Sequence, residues 1–397
     1  MIAVLTFAPI VVFWITLLVV RPAGREIAAI ILSTVWNLVA LTVVNAVAVE
    51  VGWWSFPGGG LPVELLIAWA VLWGAIPAHI GLGHPLPLVV GILAWIDLAF
   101  MPQAGPVVTV HATWLYGETV AILVALVPGL LLARWTVAGT RLRVRVAAQV
   151  LLAGAVMLGL PLAITGAWSQ PAWAISLLVQ VLAPPCLLGV AAVREFAVAG
   201  SGTPLPFDPP ERLVTSGPYA YVRNPMQASI VVSYLILAVV DVRFLAGAAT
   251  AFAYGAGLAA WHEGNQLRAR FGRSHDGVRA WVPGLRPYPG MPSAVVYLAE
   301  TCGECGALAR WLVRRKPVAL RVAAAEGHPG RLRRMRYERG DGLVADGVAA
   351  FANAVQHVHL GWACAGWFLL LPGVGWFAQV AADAFGAGPR DLPVREE

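Results

Sequence analysis

Two short stretches of this chain carry residue types whose spacing suits chemistry. The first, Glu211 to Gln227, reads ERLVTSGPYAYVRNPMQ, polar and punctuated by glycine and proline between long apolar runs. Within it Arg223 can hold a carboxylate by a bidentate contact. Gly217 and Pro218 permit a sharp bend that turns main-chain donors toward a ligand. Tyr219 and Tyr221 can border a flat ring, and tyrosines also gather at membrane interfaces without any ligand. Pro225 fixes its own backbone and lacks an N–H, which shapes a tight return into the membrane. One apolar hairpin later come His262 and Glu263; a carboxylate there can take an ammonium group or orient a nucleophile. The second stretch is Cys302-Gly303-Glu304-Cys305, a dithiol spacing between an expected strand and an expected helix.

Each has a plainer reading. Arg223 can snorkel to lipid phosphates. Glu263 can be a helix-end charge partnered by Arg268 or Arg270, and His262 an interfacial side chain. The C-x-x-C can be half of a zinc site or an inert pair, although Cys364, His357 and His359 complement it poorly as ligands.

The elements that must position these residues are mostly apolar. A chain of 397 residues that is 59% hydrophobic and 12% charged, with positive mean hydropathy, is excluded from the ordinary soluble class and reads as a polytopic membrane protein. Apolar runs near twenty residues predict spans at about 2–20, 27–49, 61–79, 85–101, 114–133, 146–164 and 172–193, then a hairpin of 226–240 with 244–261, nine crossings in all. The first run lacks a basic n-region and further spans follow it, so it reads as a span and not a signal peptide.

Basic residues are retained on the cytoplasmic side. With the N-terminus outside, Arg21, Arg25, Arg134, Arg141, Arg143, Arg145, Arg194, Arg212, Arg223 and everything basic after Arg268 fall inside, and only Arg243 lands outside. The net charge of +6 is then mostly topology, with some attraction to anionic headgroups; no nucleic-acid partner is expected. Residues 1–138 form an N-terminal transmembrane domain, 139–290 a second one carrying the cytoplasmic loop, and 293–397 a cytoplasmic domain.

Intramembrane polar groups are costly enough to be functional suspects. Asn37, Asn45, Glu64, His79, Asp97, His111 and Glu118 therefore need an account: an ion or proton path, a lipid-substrate cavity, or hydrogen bonds between helices. His79, His84 and His111 fit no compact ligand set, and no metal is expected.

The pattern GPY-x-YVR-x-P-M, followed by Trp261-His262-Glu263, by Leu267-Arg268-Ala269-Arg270-Phe271-Gly272 and by Val282-Pro283, resembles the integral-membrane methyltransferases typified by isoprenylcysteine carboxyl methyltransferase and phospholipid N-methyltransferase. The resemblance covers about 142–288. It implies S-adenosylmethionine as cofactor, with Arg223 on its carboxylate and Glu263 on its ammonium. Gly217, Pro218, Tyr219, Tyr221, Asn224, Pro225 and His262 would surround the nucleoside, and a lipophilic or lipid acceptor would enter from the bilayer. Such a displacement needs positioning and exclusion of water and no covalent intermediate. Three positions depart from the pattern: Asn224 stands for His, Gln227 for Tyr and Gly264 for a second Glu, so a proton acceptor at 224 is gone.

After Pro292 the composition becomes that of a small α/β domain. Ser293 to Leu298 reads as a strand and Ala307 to Arg315 as a helix, and a helix N-terminus between them lowers the pKa of the first thiol. Cys302 would attack and Cys305 resolve. The run TCGECGALARWLVRR, a later helix near 348–357 and GWFLLLPGV resemble the small thiol-disulfide oxidoreductase-like family named for its Asp-Cys-Cys signature, over about 293–390 and without the Asp. That implies a thioredoxin-like domain and a thiol partner protein. Cys186 reads as packing within a span, and no structural disulfide is expected in a reducing cytoplasm. Residues 362–385 are apolar enough to cross, but their glycines and Pro372 favour a surface-docking piece.

The expected architecture is thus a polytopic α-helical membrane protein with a C-terminal cytoplasmic α/β thioredoxin-like domain. The expected activity is an integral-membrane S-adenosylmethionine-dependent methyltransferase acting on a lipophilic acceptor. The alternative is a membrane-anchored thiol-disulfide oxidoreductase on a non-catalytic methyltransferase-like scaffold. A solute carrier formed by the N-terminal spans rests on Glu64, Asp97 and Glu118 alone.

Overall fold

A computed structural model describes residues 2–105, 107–205, 207–208, 210–259 and 284–390, which fall into two compact units. One comprises Met1–Pro161 with Gly202–Pro209, the other Leu162–Ser201 with Pro210–Glu397. After α1 (Ile2–Val19), six helices among the described residues are long and apolar enough to cross a membrane: α2 (Arg25–Val51), α3 (Val63–Ile80), α4 (Leu86–Gln103), α5 (Trp114–Val137), α6 (Leu142–Thr165) and α7 (Ala172–Gly200). The chain is read as an integral membrane protein on this basis. Counting a later bent pair as one span makes seven.

The expected hairpin forms from α8 (Pro225–Leu237), which is short, and α9, described over Phe244–Gly257. Thirteen residues rise about 20 Å, less than the roughly 30 Å hydrocarbon core of a bilayer. The turn between them is set by Asp241, whose carboxylate accepts the Arg243 N–H at 2.8 Å and its guanidinium at 2.6–3.0 Å. That local alternative stops the helix early.

In the first unit α2 packs against α3 and α5, and several of the side chains that seemed costly from sequence make local hydrogen bonds. Asn37 and Asn45 donate to carbonyls one turn back, at Ser33 and Leu41, and Asn45 also accepts the Trp54 indole N–H. His79 contacts the Thr16 carbonyl, His111 the Gly52 carbonyl. The close crossing of α2 and α3 depends on Gly74: a Cβ there would lie 2.7 Å from the Thr34 Cα. A two-stranded ribbon, β1 (Trp54–Ser55) with β2 (Thr109–Val110), pairs antiparallel at one end. The loop 202–208 is pinned by Asp208, which takes Arg145 at 2.5 Å, Arg25 at 2.8 Å and the Thr203 hydroxyl at 3.1 Å. Arg145, expected in an open basic connector, is 2% exposed.

The second unit joins α7, α8 and α9 to a four-stranded sheet of order β4-β3-β5-β6, built from β3 (Ala294–Leu298), β4 (Leu320–Ala324), β5 (Arg336–Arg339) and β6 (Val344–Asp346). β3 and β4 are parallel in register Val296↔Val322, and β5 runs antiparallel to β3 and to β6. Parallel pairing needs a crossover, supplied by α10 (Gly303–Arg314), which begins at the C-x-x-C. Val296, Leu298, Leu312 and Tyr337 form its core with α11 (Gly347–Ala354). Two further helices, Leu360–Leu369 and Val374–Ala387 (α12 and α13), meet at 92° across Pro372 and Gly373, so residues 362–385 are not one straight span.

Candidate functional site

The loop from Gly217 to Val222 folds inward. Gly217 adopts φ +58°, and a Cβ there would sit 2.8 Å from the Glu195 side chain, so position 217 requires glycine on two counts. Glu195 is 2% exposed; it accepts the Ser216 hydroxyl at 2.5 Å and the Arg339 guanidinium at 2.7 Å, tying α7 to β5. Tyr219 packs on Phe196 with ring centroids 6.0 Å apart, beside buried Pro218. The Tyr221 hydroxyl donates to the Gln356 carbonyl at 2.8 Å, and its ring meets Trp367 edge-on at 5.8 Å. Trp367 in turn donates its indole N–H to the Gln356 side chain at 3.0 Å.

Of the residues expected to hold a nucleoside, Tyr219 and Tyr221 are thus spent on protein packing. Arg223 is exposed just ahead of α8. Asn224 caps that helix, its side-chain oxygen accepting the Gln227 N–H at 3.3 Å, with Pro225 in the first helical position. His262 and Glu263 lie outside the described residues. The described chain on either side of them is held at the loop: a Cβ on Gly255 would touch Gln227 at 3.3 Å, the Gly284 N–H donates to the Tyr221 carbonyl at 3.2 Å, and the Tyr288 N–H to the Ala220 carbonyl at 2.7 Å.

The dithiol is fully described. Cys302 is the N-cap of α10, and its sulfur accepts the Cys305 N–H at 3.4 Å. The Cys305 side chain, the amide N–H groups of Cys305 and Glu304 and the charge of Arg390 hold the Cys302 thiol below its ordinary value. Cys305 goes the other way: burial, then the neighbouring Cys302, push it up to about 11. The approach to the motif is clamped by Glu326. Its carboxylate accepts the N–H groups of Glu300 and Thr301 at 2.9 and 3.2 Å and the Thr301 hydroxyl at 3.1 Å. Burial alone would raise this carboxyl, but those bonds outweigh it and keep it ionised.

Beside the two sulfurs opens a cavity of about 300 Å³, walled by Leu298, Leu308, Met335, Val348 and Phe351, with Arg390 at its margin. A low-pKa thiol at a helix start, a high-pKa thiol one turn on and a small apolar chamber together suit nucleophilic attack on a sulfur, followed by resolution. Glu326, Glu195, Arg339 and the cavity residues carry no local sequence signal; only the C-x-x-C marked the place. Among the described residues no group of three or more His, Cys, Asp or Glu could hold a metal. No family model, curated protein or solved structure matches the chain.

Proposed function

We propose that the protein is a membrane-anchored dithiol–disulfide oxidoreductase whose C-terminal domain is thioredoxin-like and faces the cytoplasm. The observation that carries this reading is the opposed pair of thiols at the start of α10, Cys302 lowered and Cys305 raised, on the wall of one cavity. The order strand, C-x-x-C, helix, parallel strand and antiparallel hairpin supports it. The Cys302 thiolate attacks one sulfur of a substrate disulfide, forming a mixed disulfide and expelling the substrate's other sulfur as a thiolate that takes a proton. Cys305 then loses its proton and attacks Cys302, closing an intramolecular disulfide and releasing the second substrate thiol. Two electrons pass to the substrate; a partner dithiol returns them.

The test uses reduced full-length protein in detergent with a fluorescent dipeptide-type disulfide. Wild type loses two thiols per disulfide cleaved. Cys302→Ser is inactive, and Cys305→Ser halts as the mixed disulfide, visible by mass. Equal turnover by Cys302→Ser ends this reading.

A second reading, methyl transfer from S-adenosylmethionine to a lipophilic acceptor, is favoured by one observation: on either side of the segment holding Glu263, Gly255 lies against Gln227 in the first turn of α8 and Gly284 donates to Tyr221, so both flank Arg223. It adds a nucleoside site of Arg223 and Glu263 at the inner leaflet. It also counts α1, α8 and α9 as crossings, nine in all with the N-terminus outside. Calorimetric titration with S-adenosylhomocysteine tests it: binding by wild type lost in Arg223→Ala supports it, and no binding by wild type removes it.

A further inference from the structure

The first unit contains a second chamber that neither reading uses. Asp97 on α4 and Glu118 on α5, far apart in sequence, place their carboxyl groups within hydrogen-bonding reach of each other. Both are buried, 2% and 3% exposed. Asp97 is further held by the Trp69 indole N–H, which donates to it at 2.6 Å. The pair borders a cavity of about 50 Å³. At roughly 10–15 Å³ per water-sized group, that admits a guest of three or four heavy atoms.

Two polar atoms on this wall are left without a hydrogen-bond partner among the described residues: the Glu118 Oε1, an acceptor, and the Trp73 Nε1–H, a donor. Trp73 is 1% exposed and lies in a widened, π-type turn of α3, Val71–Ala75. Such turns interrupt helices where side chains are re-aimed. Each orphaned group forfeits its bond to water on burial, a cost that native structures rarely leave standing. The remaining wall is mostly aliphatic, with the rings of Trp54, Trp69 and Phe56 and the side chain of Asn45 among it, and no Lys or Arg lines it. Two carboxyls in contact are compatible when at least one carries a proton, and a charge on the other would lie in an apolar bundle without a described cation beside it.

We propose that this cavity binds a small organic ammonium that also carries a hydroxyl or ether oxygen, of the size and type of ethanolamine. The ammonium donates to Glu118 Oε1, offsets the charge of the carboxyl pair and lies against indole faces that attract cations. The oxygen accepts the Trp73 N–H. Free amino alcohol and the headgroup of an aminolipid share this chemistry.

Equilibrium binding of radiolabelled ethanolamine to full-length protein in phosphatidylcholine nanodiscs tests it. Wild type binds saturably near one per chain. Glu118→Gln loses binding by tenfold or more, as expected for a charged contact. Trp73→Phe weakens ethanolamine roughly fivefold to tenfold but leaves ethylammonium, which has no oxygen, unchanged. Adding phosphatidylethanolamine to the nanodiscs displaces the label if the occupant is a headgroup and leaves it bound if the occupant is the free amine; either result supports the site. Absence of saturable binding in protein that keeps its gel-filtration profile overturns the proposal and leaves a site for water alone. Binding unaffected by both Glu118→Gln and Trp73→Phe overturns it equally.

Discussion

The sharpest consequence of the dithiol geometry is a difference in reactivity between two cysteines three residues apart. At pH 7.5 a thiol of ordinary value 9 is roughly 3% thiolate, and Cys302, held below that value, exceeds it. Cys305, at about 11, is roughly 0.03% thiolate, at least a hundredfold less. The more basic thiolate is the better nucleophile, by about eightfold over two pH units at a Brønsted coefficient near 0.45. Thiolate population therefore wins, and Cys302 is alkylated at least roughly tenfold faster than Cys305. Timed reaction of reduced protein with iodoacetamide, read by peptide mass spectrometry between pH 6 and 10, measures both rates in one sample. The Cys302 rate passes the midpoint of its rise below pH 9, while the Cys305 rate is still climbing at pH 10. Equal rates at pH 7.5, or a common inflection, would refute the claim that the Cys305 side chain, the helix start and Arg390 together set the nucleophile.

Three further outcomes follow from contacts elsewhere. Gly217→Ala forces a β-carbon into the left-handed backbone region and against Glu195, and lowers the stability of the second unit by about 1–3 kcal/mol, read as a fall in thermal midpoint in detergent. Asp208→Asn removes the charge facing Arg145, which stays buried, and costs about 3–5 kcal/mol; Arg145→Met in the same chain recovers part of that loss. His357 is fully buried, with its Nδ1–H on the Val318 carbonyl at 2.7 Å and its Nε2 accepting the Tyr337 hydroxyl at 2.8 Å, and burial lowers it from 6.5 to about 4. The unfolded imidazole takes up a proton near pH 6.5 and the folded one does not. Stability present above pH 6.5 is therefore lost as pH falls toward 4, up to about 3 kcal/mol; unfolding midpoints that stay flat over that window for wild type would contradict the assignment.

What was legible in the sequence was local. Apolar run length marked α2 to α7, because an apolar stretch long enough to cross needs no partner to be recognised. The strand at Ala294–Leu298 and the helix after the C-x-x-C were marked by periodicity and by the cysteines themselves. The hairpin α8–α9 was legible as a pair of apolar runs, but composition does not register the Asp241–Arg243 contact that sets the turn between them. The pairs Asp97–Glu118, Arg145–Asp208 and Glu195–Arg339 join residues 21, 63 and 144 positions apart, and no spacing rule connects them. Tyr219 and Tyr221 looked like ligand borders because an aromatic in a loop has the same sequence signature whether it faces a ligand or its own core.

That last ambiguity decides which substitutions can separate the two proposed activities. Gly217, Tyr219 and Tyr221 are buried, and Tyr221 bonds to Gln356 within the same unit that carries the dithiol. Truncating either tyrosine removes packing, and replacing Gly217 adds a clash and backbone strain, each costing about 1–3 kcal/mol or more. Loss of either activity in such a variant therefore reports folding, not chemistry. Arg223 is exposed, and Cys302 caps its helix by a sulfur that serine's hydroxyl replaces as an acceptor. Substitution at these two positions leaves the core intact. A chain that loses disulfide cleavage with Cys302→Ser and keeps it with Arg223→Ala uses the loop as scaffold. One that loses nucleoside binding only with Arg223→Ala carries two separable sites.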